Sequence, residues 1–165
     1  MSELKQKRKQ LGLTQIQAAN ACGVSRRTFQ TYEETENLNN TYFELYKKLD
    51  EMGILDGSNF VTNPRFIKHV CTKIISSKYP EIYCVYLFGS YSRGEATGKS
   101  NVELLVLSLL NDKKLKSLSD DLKEELHKTI SITTDKQLMD DKKMLLEVLT
   151  SGIRIYINPK AKKIL

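Results

Sequence analysis

The chain has 165 residues, 40% hydrophobic and 28% charged, which suits one medium globular domain or two small ones. No apolar run approaches the ~18 to 20 residues of a membrane span, and Met1-Ser2-Glu3-Leu4-Lys5 opens no signal-peptide pattern, so a cytoplasmic protein with no membrane partner is expected. The formal net charge of +6 gives a mild pull toward polyanions, while Cys22, Cys71 and Cys84 lack the number or spacing for a disulfide framework or a zinc site and read as packing residues.

The first element is a basic helix from Leu4 to Gly12, a natural stop because glycine readily takes the left-handed conformation after a helix. A second starts at once: Thr14-Gln15-Ile16-Gln17 is a capping box, followed by the slim face of Ala18, Ala19 and Ala21. Cys22-Gly23-Val24 turns the chain, and Ser25 caps a third helix, Arg26 to Glu33. There Phe29 and Tyr32, three apart, are expected to share a buried face while Arg26, Arg27, Gln30 and Thr31 project elsewhere. Tyr42 to Leu49 is amphipathic and would close the small bundle.

A helix, a glycine turn and a second helix with polar and basic residues at its start is a helix-turn-helix. Residues 4–34, with Leu13-Thr14-Gln15 opening one helix and Gly23-Val24-Ser25 the next, resemble the XRE or lambda-repressor-like DNA-binding family. The resemblance implies double-stranded DNA as partner, with Gln15 and Ser25 at the backbone and Arg26, Arg27, Gln30 and Thr31 at base edges or phosphates. The chemistry agrees: arginine can donate two bonds to guanine, glutamine pairs with adenine, and helix-start amides favour phosphate. Which of them reads bases is open, and Arg26 and Arg27 also suit a solvated face.

From Met52 to Asn63 the pattern dissolves into turn formers, a boundary that divides the chain into residues 1–54, a linker at 55–63 and a second domain at 64–165. Pro64 opens a helix whose Phe66, Ile67, Val70, Ile74 and Ile75 recur at helical spacing as far as Tyr79-Pro80. A strand follows at 82–88, then the stretch from Gly89 to Glu103, then a strand at 104–107. Asn111 to Lys116 is polar, Leu118 to Leu126 amphipathic, and Thr129 to Thr133 alternates as a third strand. Asp135 to Leu149 reads as one helix with Leu138, Leu145, Leu146 and Leu149 on one side, stopped by Gly152 before a short strand at 153–157. Lys160 to Lys163 reads as a frayed tail. The fold class is therefore an all-α helix-turn-helix domain followed by an α/β domain with a mixed sheet.

Phe88-Gly89-Ser90, Arg93-Gly94, Ser100 and Gly152-Ile153-Arg154-Ile155-Tyr156 resemble, in order and spacing, the minimal nucleotidyltransferases of the DNA polymerase beta superfamily. That resemblance implies a glycine and serine holding nucleotide phosphates, here Gly89 and Ser90 assisted by Arg93 or Lys99, and three acids binding divalent ions. Two metals ~3.5 to 4 Å apart demand closely placed anionic ligands. This chain has Asn101 at the first position, an amide without charge, and Glu103 at the second, one methylene too long; the third falls nearest Ser131. Glu103 is thus the sole candidate metal carboxylate of the motif, and Mg2+ and ATP are the cofactors a working site would use. Ser90 and Arg93 equally suit local roles, capping a turn and pairing nearby. His69 and His127 have no spaced partner and read as surface or packing residues, while the adjacent pairs Asp120-Asp121 and Asp140-Asp141 cannot share one helix face and read as solvated.

The expected function is a DNA-binding transcriptional regulator with a catalytically degenerate nucleotidyltransferase-like domain used for dimerisation, partner binding or nucleotide binding. The resemblance implies a sharper version, an autorepressing antitoxin with a HEPN-type toxin as partner. The alternatives are an active, magnesium-dependent enzyme that transfers AMP from ATP to such a partner, and a purely structural scaffold for a homodimer.

Overall fold

The computed structural model describes residues 2–55 and 61–160, and the chain divides into two units, Met1–Phe66 and Ile67–Leu165. The end of the expected tail, 161–163, and most of the expected linker, 56–60, lie outside the described residues.

In the first unit each of the first three helices begins where a side chain satisfies otherwise orphaned amides. Helix α1 (Glu3–Gln10) is capped by Ser2, and α2 (Gln15–Cys22) by Thr14, whose capping box with Gln17 is complete. Ser25 Oγ accepts from the Thr28 amide at 3.1 Å and starts α3 (Arg26–Thr35). Gly23 ends α2 with φ +69°, where the left-handed backbone requires glycine. Helix α4 (Asn40–Leu55) is longer than its amphipathic stretch, because Asn39 Oδ1 caps the Tyr42 amide at 3.0 Å. The core gathers Leu4, Ala18, Ala19, Cys22, Phe29, Tyr42, Leu45 and Leu49, while Ala21 is exposed. Three charged groups, Lys7, Glu33 and Asp50, are buried among them. Lys7, 2% exposed, pairs with Asp50 of α4 and lies over the Tyr46 ring. Glu33, 4% exposed, takes the inward place expected of Tyr32, which is only half-buried. Four residues after Phe29, Glu33 lies closer to its helical stripe than a residue three after it, and Arg8 supplies the charge that lets a carboxylate stay there.

The second unit is a mixed four-stranded sheet with helices. Helix α5 (Pro64–Lys78) leads to β1 (Ile82–Phe88); the one-turn helix α6 (Ser90–Arg93) follows, then β2 (Val102–Ser108), α7 (Asp112–Leu126), β3 (Ile130–Thr134), α8 (Asp135–Asp140), α9 (Lys142–Ser151) and β4 (Ile153–Ile157). The strand order is β3-β2-β1-β4, with β1 antiparallel to β2 and β4, and β2 parallel to β3. Phe88, Leu105, Leu138 and Val148 form one buried cluster, against which Tyr86, Leu107, Met144 and Leu145 pack.

Four local expectations are corrected. The polar stretch after Asn111 is helical, because Asn111 Oδ1 caps the Lys114 amide at 3.0 Å and opens α7 there. The single helix expected from Asp135 to Leu149 is two, broken at Asp141, whose carboxylate accepts from the Lys143 and Met144 amides at 3.0 Å each and so starts a new helix. Leu138 and Leu145 turn inward, whereas Leu146 and Leu149 do not share their side: they are 63% and 74% exposed. Nor is Asp121 merely solvated, since it accepts from the buried Tyr79 hydroxyl at 2.8 Å and from Lys78 at 3.1 Å.

Candidate functional sites

In the first unit the candidate reading surface is the start of α3. Arg26, Arg27 and Thr31 are exposed, and among the described residues no hydrogen bond or ion pair holds either guanidinium. Thr31 Oγ1 donates to the Arg27 carbonyl at 2.9 Å and Gln30 donates to Glu34 at 2.8 Å, while the Ser25 hydroxyl serves as the helix cap. Gln15 stands differently: its amide donates to Glu33 Oε2 at 2.7 Å. Arg8 Nε donates to Glu33 Oε1 at 2.5 Å and an Arg8 terminal nitrogen to the Leu13 carbonyl at 2.7 Å. Glu33 therefore ties α1, α2 and α3 together, fixing the angle at which α3 presents Arg26 and Arg27. Nothing in the sequence marks Glu33 as buried; only its position four residues past Phe29 hints at it.

In the second unit the site is built where β1 ends. Gly89 has φ +74° and ψ −152°, a conformation reserved for glycine, and a Cβ there would lie 1.7 Å from Glu103 Oε2. The Glu103 carboxylate thus folds over the Gly89 turn and lies near the Ser90 amide. Burial pushes its pKa up, neighbouring Glu147 pushes it further, and Arg93 and the Ser90 amide oppose the shift. Register puts Phe88 on one side of Glu103 and Ser131 on the other, so Glu103 and Ser131 are direct neighbours in the sheet. Asn101 lies two residues before Glu103, exposed and just ahead of β2.

Arg93 closes the other flank. It donates to Glu95 at 2.8 Å and pairs with Glu147 of α9. Glu147 is the member sequence reasoning missed; its partner is 54 residues away and no local motif connects them. Lys99 is exposed on a loop that Thr97 and Ser100 pin through a 2.9 Å bond, and Lys128 holds the Gly98 carbonyl. His127 sits at the C-cap of α7 with φ +51°, where the helix dipole favours a cation.

These residues do not fit a pair of divalent ions. Among the described residues no group of three His, Cys, Asp or Glu side chains could hold a metal. Asn101 and Ser131 are neutral, and the Glu103 carboxylate lies over the Gly89 turn. The arrangement favours the neutral form of Glu103 relative to a free carboxyl and keeps Arg93 charged between Glu95 and Glu147.

Geometry and sequence patterns coincide in the comparisons with known proteins. The model of the polymerase beta nucleotidyltransferases matches residues 69–161, more than half of the chain, and that of the helix-turn-helix matches residues 4–34. The protein belongs to the polymerase beta nucleotidyltransferase family and carries a helix-turn-helix at its N-terminal end. Similar solved structures include a toxin-antitoxin with AMP-PNP, 22% identical over 59% of this chain and 78% of that one, with a TM-score of 0.47. Another is a tri-AMPylated HEPN toxin of Shewanella oneidensis in complex with an MNT antitoxin, 18% identical over 61% and 77%, TM-score 0.43. A third is the toxin-antitoxin MntA-HepT, 17% identical over 61% and 78%, TM-score 0.43. No curated protein matches the chain. No helix among the described residues is long and apolar enough to cross a membrane.

Proposed function

We propose that this protein is a cytoplasmic, sequence-specific DNA-binding regulator, dimeric and of the autorepressing antitoxin type, whose nucleotidyltransferase unit has given up its chemistry. One observation carries the reading: the only charged member of the Asn101, Glu103, Ser131 set folds back over the Gly89 turn, beside the Ser90 amide. An acid spent on holding a turn is a poor metal ligand, and transfer chemistry needs several ligands at once. The guanidinium groups of Arg26 and Arg27, unpaired among the described residues, supply the other half of the argument, since a groove-reading helix needs free donors. The partner proposed for the second unit is a HEPN-type toxin. A gel shift with DNA from upstream of its own gene tests the first half. Binding by the full chain, lost when residues 1–54 are deleted, is the expected result, and equal affinity without them sinks it.

A second reading, AMP transfer from ATP to a partner protein, has one observation in its favour. Glu147 stands close enough to raise the Glu103 pKa, so the site contains two carboxylates rather than one. Labelled ATP and magnesium incubated with the protein and the product of the neighbouring gene discriminate. No label transfer is expected; transfer abolished by Glu103→Gln would establish the enzyme.

A further inference from the structure

The positive charge of the chain is unevenly placed. Of the formal +6, residues 67–165 carry +5, with 17 of the 26 basic side chains and 12 of the 20 acidic ones, which leaves the first unit nearly neutral. Neutralising phosphates supplies much of the affinity of a protein for duplex DNA, and a nearly neutral reading unit offers little of it. The charge lies further along the chain, and one helix gathers a large part of it.

Helix α5 has no Asp or Glu in its 15 residues, whereas α7, α8 and α9 each mix both signs. Ile67, Val70, Cys71 and Ile74 are buried, and Arg65, Lys68, Thr72 and Lys73 are exposed. Helical periodicity puts Arg65 and Thr72 in one row, with Lys68 on one side of it and Lys73 on the other. Among the described residues no hydrogen bond or ion pair holds any of these three cations. Lys78, at the end of the same helix, differs, because Asp121 has taken its charge. From Arg65 to Lys73 the helix advances ~12 Å, a length over which one DNA strand presents about three or four phosphates.

We infer that the exposed face of α5 is a second DNA contact, which holds the sugar-phosphate backbone of a duplex through Arg65, Lys68 and Lys73 with the Thr72 hydroxyl between them. The inference rests on the DNA-binding reading above and adds to it a surface that supplies affinity without sequence preference. Arginine, lysine and threonine are side chains that meet phosphate oxygens, and the absence of any acid on the helix removes the repulsion that a phosphate chain would otherwise feel there. An acidic protein surface would have to match three cations with three separately placed carboxylates, whereas the even charge of a phosphate chain serves them in any register.

Fluorescence anisotropy of the full chain tests it, with a duplex from upstream of its own gene, a random duplex of equal length and a single-stranded RNA of equal length, from about 50 to about 300 mM salt. The variants are the triple Arg65→Gln, Lys68→Gln, Lys73→Gln and the single Lys68→Glu, which remains a test if the triple disturbs the fold. For the triple, the slope of log affinity against log salt should fall by about 2 to 3 and binding at about 0.1 M salt should weaken about tenfold or more, equally for both duplexes and with unchanged circular dichroism. Lys68→Glu should lower the slope by about 1 or more. A wild type that binds DNA with a slope neither variant changes overturns the α5 contact and leaves the regulator standing. A loss confined to the upstream duplex overturns the backbone assignment, and a loss seen with the RNA alone overturns duplex DNA as the occupant. A wild type that binds neither duplex overturns this contact and the DNA-binding reading together.

Discussion

Replacing Gly89 by alanine perturbs the second unit in two separable ways. The first is backbone strain: at φ +74° and ψ −152° an L-residue costs about 1 to 3 kcal/mol. The second is steric, because the new Cβ would lie 1.7 Å from Glu103 Oε2. The carboxylate is the far end of a flexible side chain, so it swings away rather than forcing the strands apart. It then loses the favourable field of the nearby Ser90 amide, about 1 to 2 kcal/mol for a partly exposed carboxylate. Gly89→Ala should therefore cost about 2 to 5 kcal/mol in the wild type and only about 1 to 3 kcal/mol in a Glu103→Ala background. The coupling between the two sites is then about 1 to 2 kcal/mol. Because a chain of two units need not unfold in one step, the measurement is native-state hydrogen exchange at the β1 and β2 amides across all four members of the cycle. Additive effects, with coupling near zero, would refute the placement of the Glu103 carboxylate over the turn.

The Glu103 carboxyl also predicts a pH dependence. Its folded pKa is raised above the ordinary 4.5, so the folded chain binds this proton more tightly than the unfolded one, and its ionisation costs stability as pH rises from 4.5 through the raised value. Glu103→Gln should thus be more stable than wild type at neutral pH, with the gain vanishing below pH 4.5 in thermal melts; a gain that grows on acidification contradicts the sign. Glu33→Ala leaves Arg8 half-buried beside no acid and unties Gln15, and should destabilise the first unit by about 3 kcal/mol in urea titrations, whereas a loss under about 1 kcal/mol would show that the network holds nothing. Arg26→Ala and Arg27→Ala should each weaken operator binding without changing the melting temperature. A residue on phosphate lowers the salt slope by about 1, and a residue on a base edge relaxes preference at one position, so the pair can be sorted by salt titration against variant operators. Arginines that do neither are solvent-facing charges.

The helix starts were legible because each depends on a hydrogen bond within a few residues. Thr14 with Gln17, Ser25 with Thr28 and the stop at Gly23 are all local, and their chemistry is written in adjacent letters. The same holds for the strand, glycine turn and strand around Gly89. Where local reading failed, a competing cap was present: Asp141 accepts two amides and breaks a helix whose hydrophobic spacing alone would continue it.

Sequence by itself determined the helix-turn-helix and the nucleotidyltransferase framework that follows it, since periodicity, caps and short motifs are properties of neighbouring residues. Only the tertiary structure decided that Glu33 is the buried tie between three helices, that Glu103 lies on the Gly89 turn beside Glu147, and that Leu146 and Leu149 face outward. Those outcomes depend on residues brought together from across the chain, such as Arg8 with Glu33 and Arg93 with Glu147. The free energy of a buried carboxylate or an exposed leucine is set by its neighbours in space, which the order of the letters does not contain.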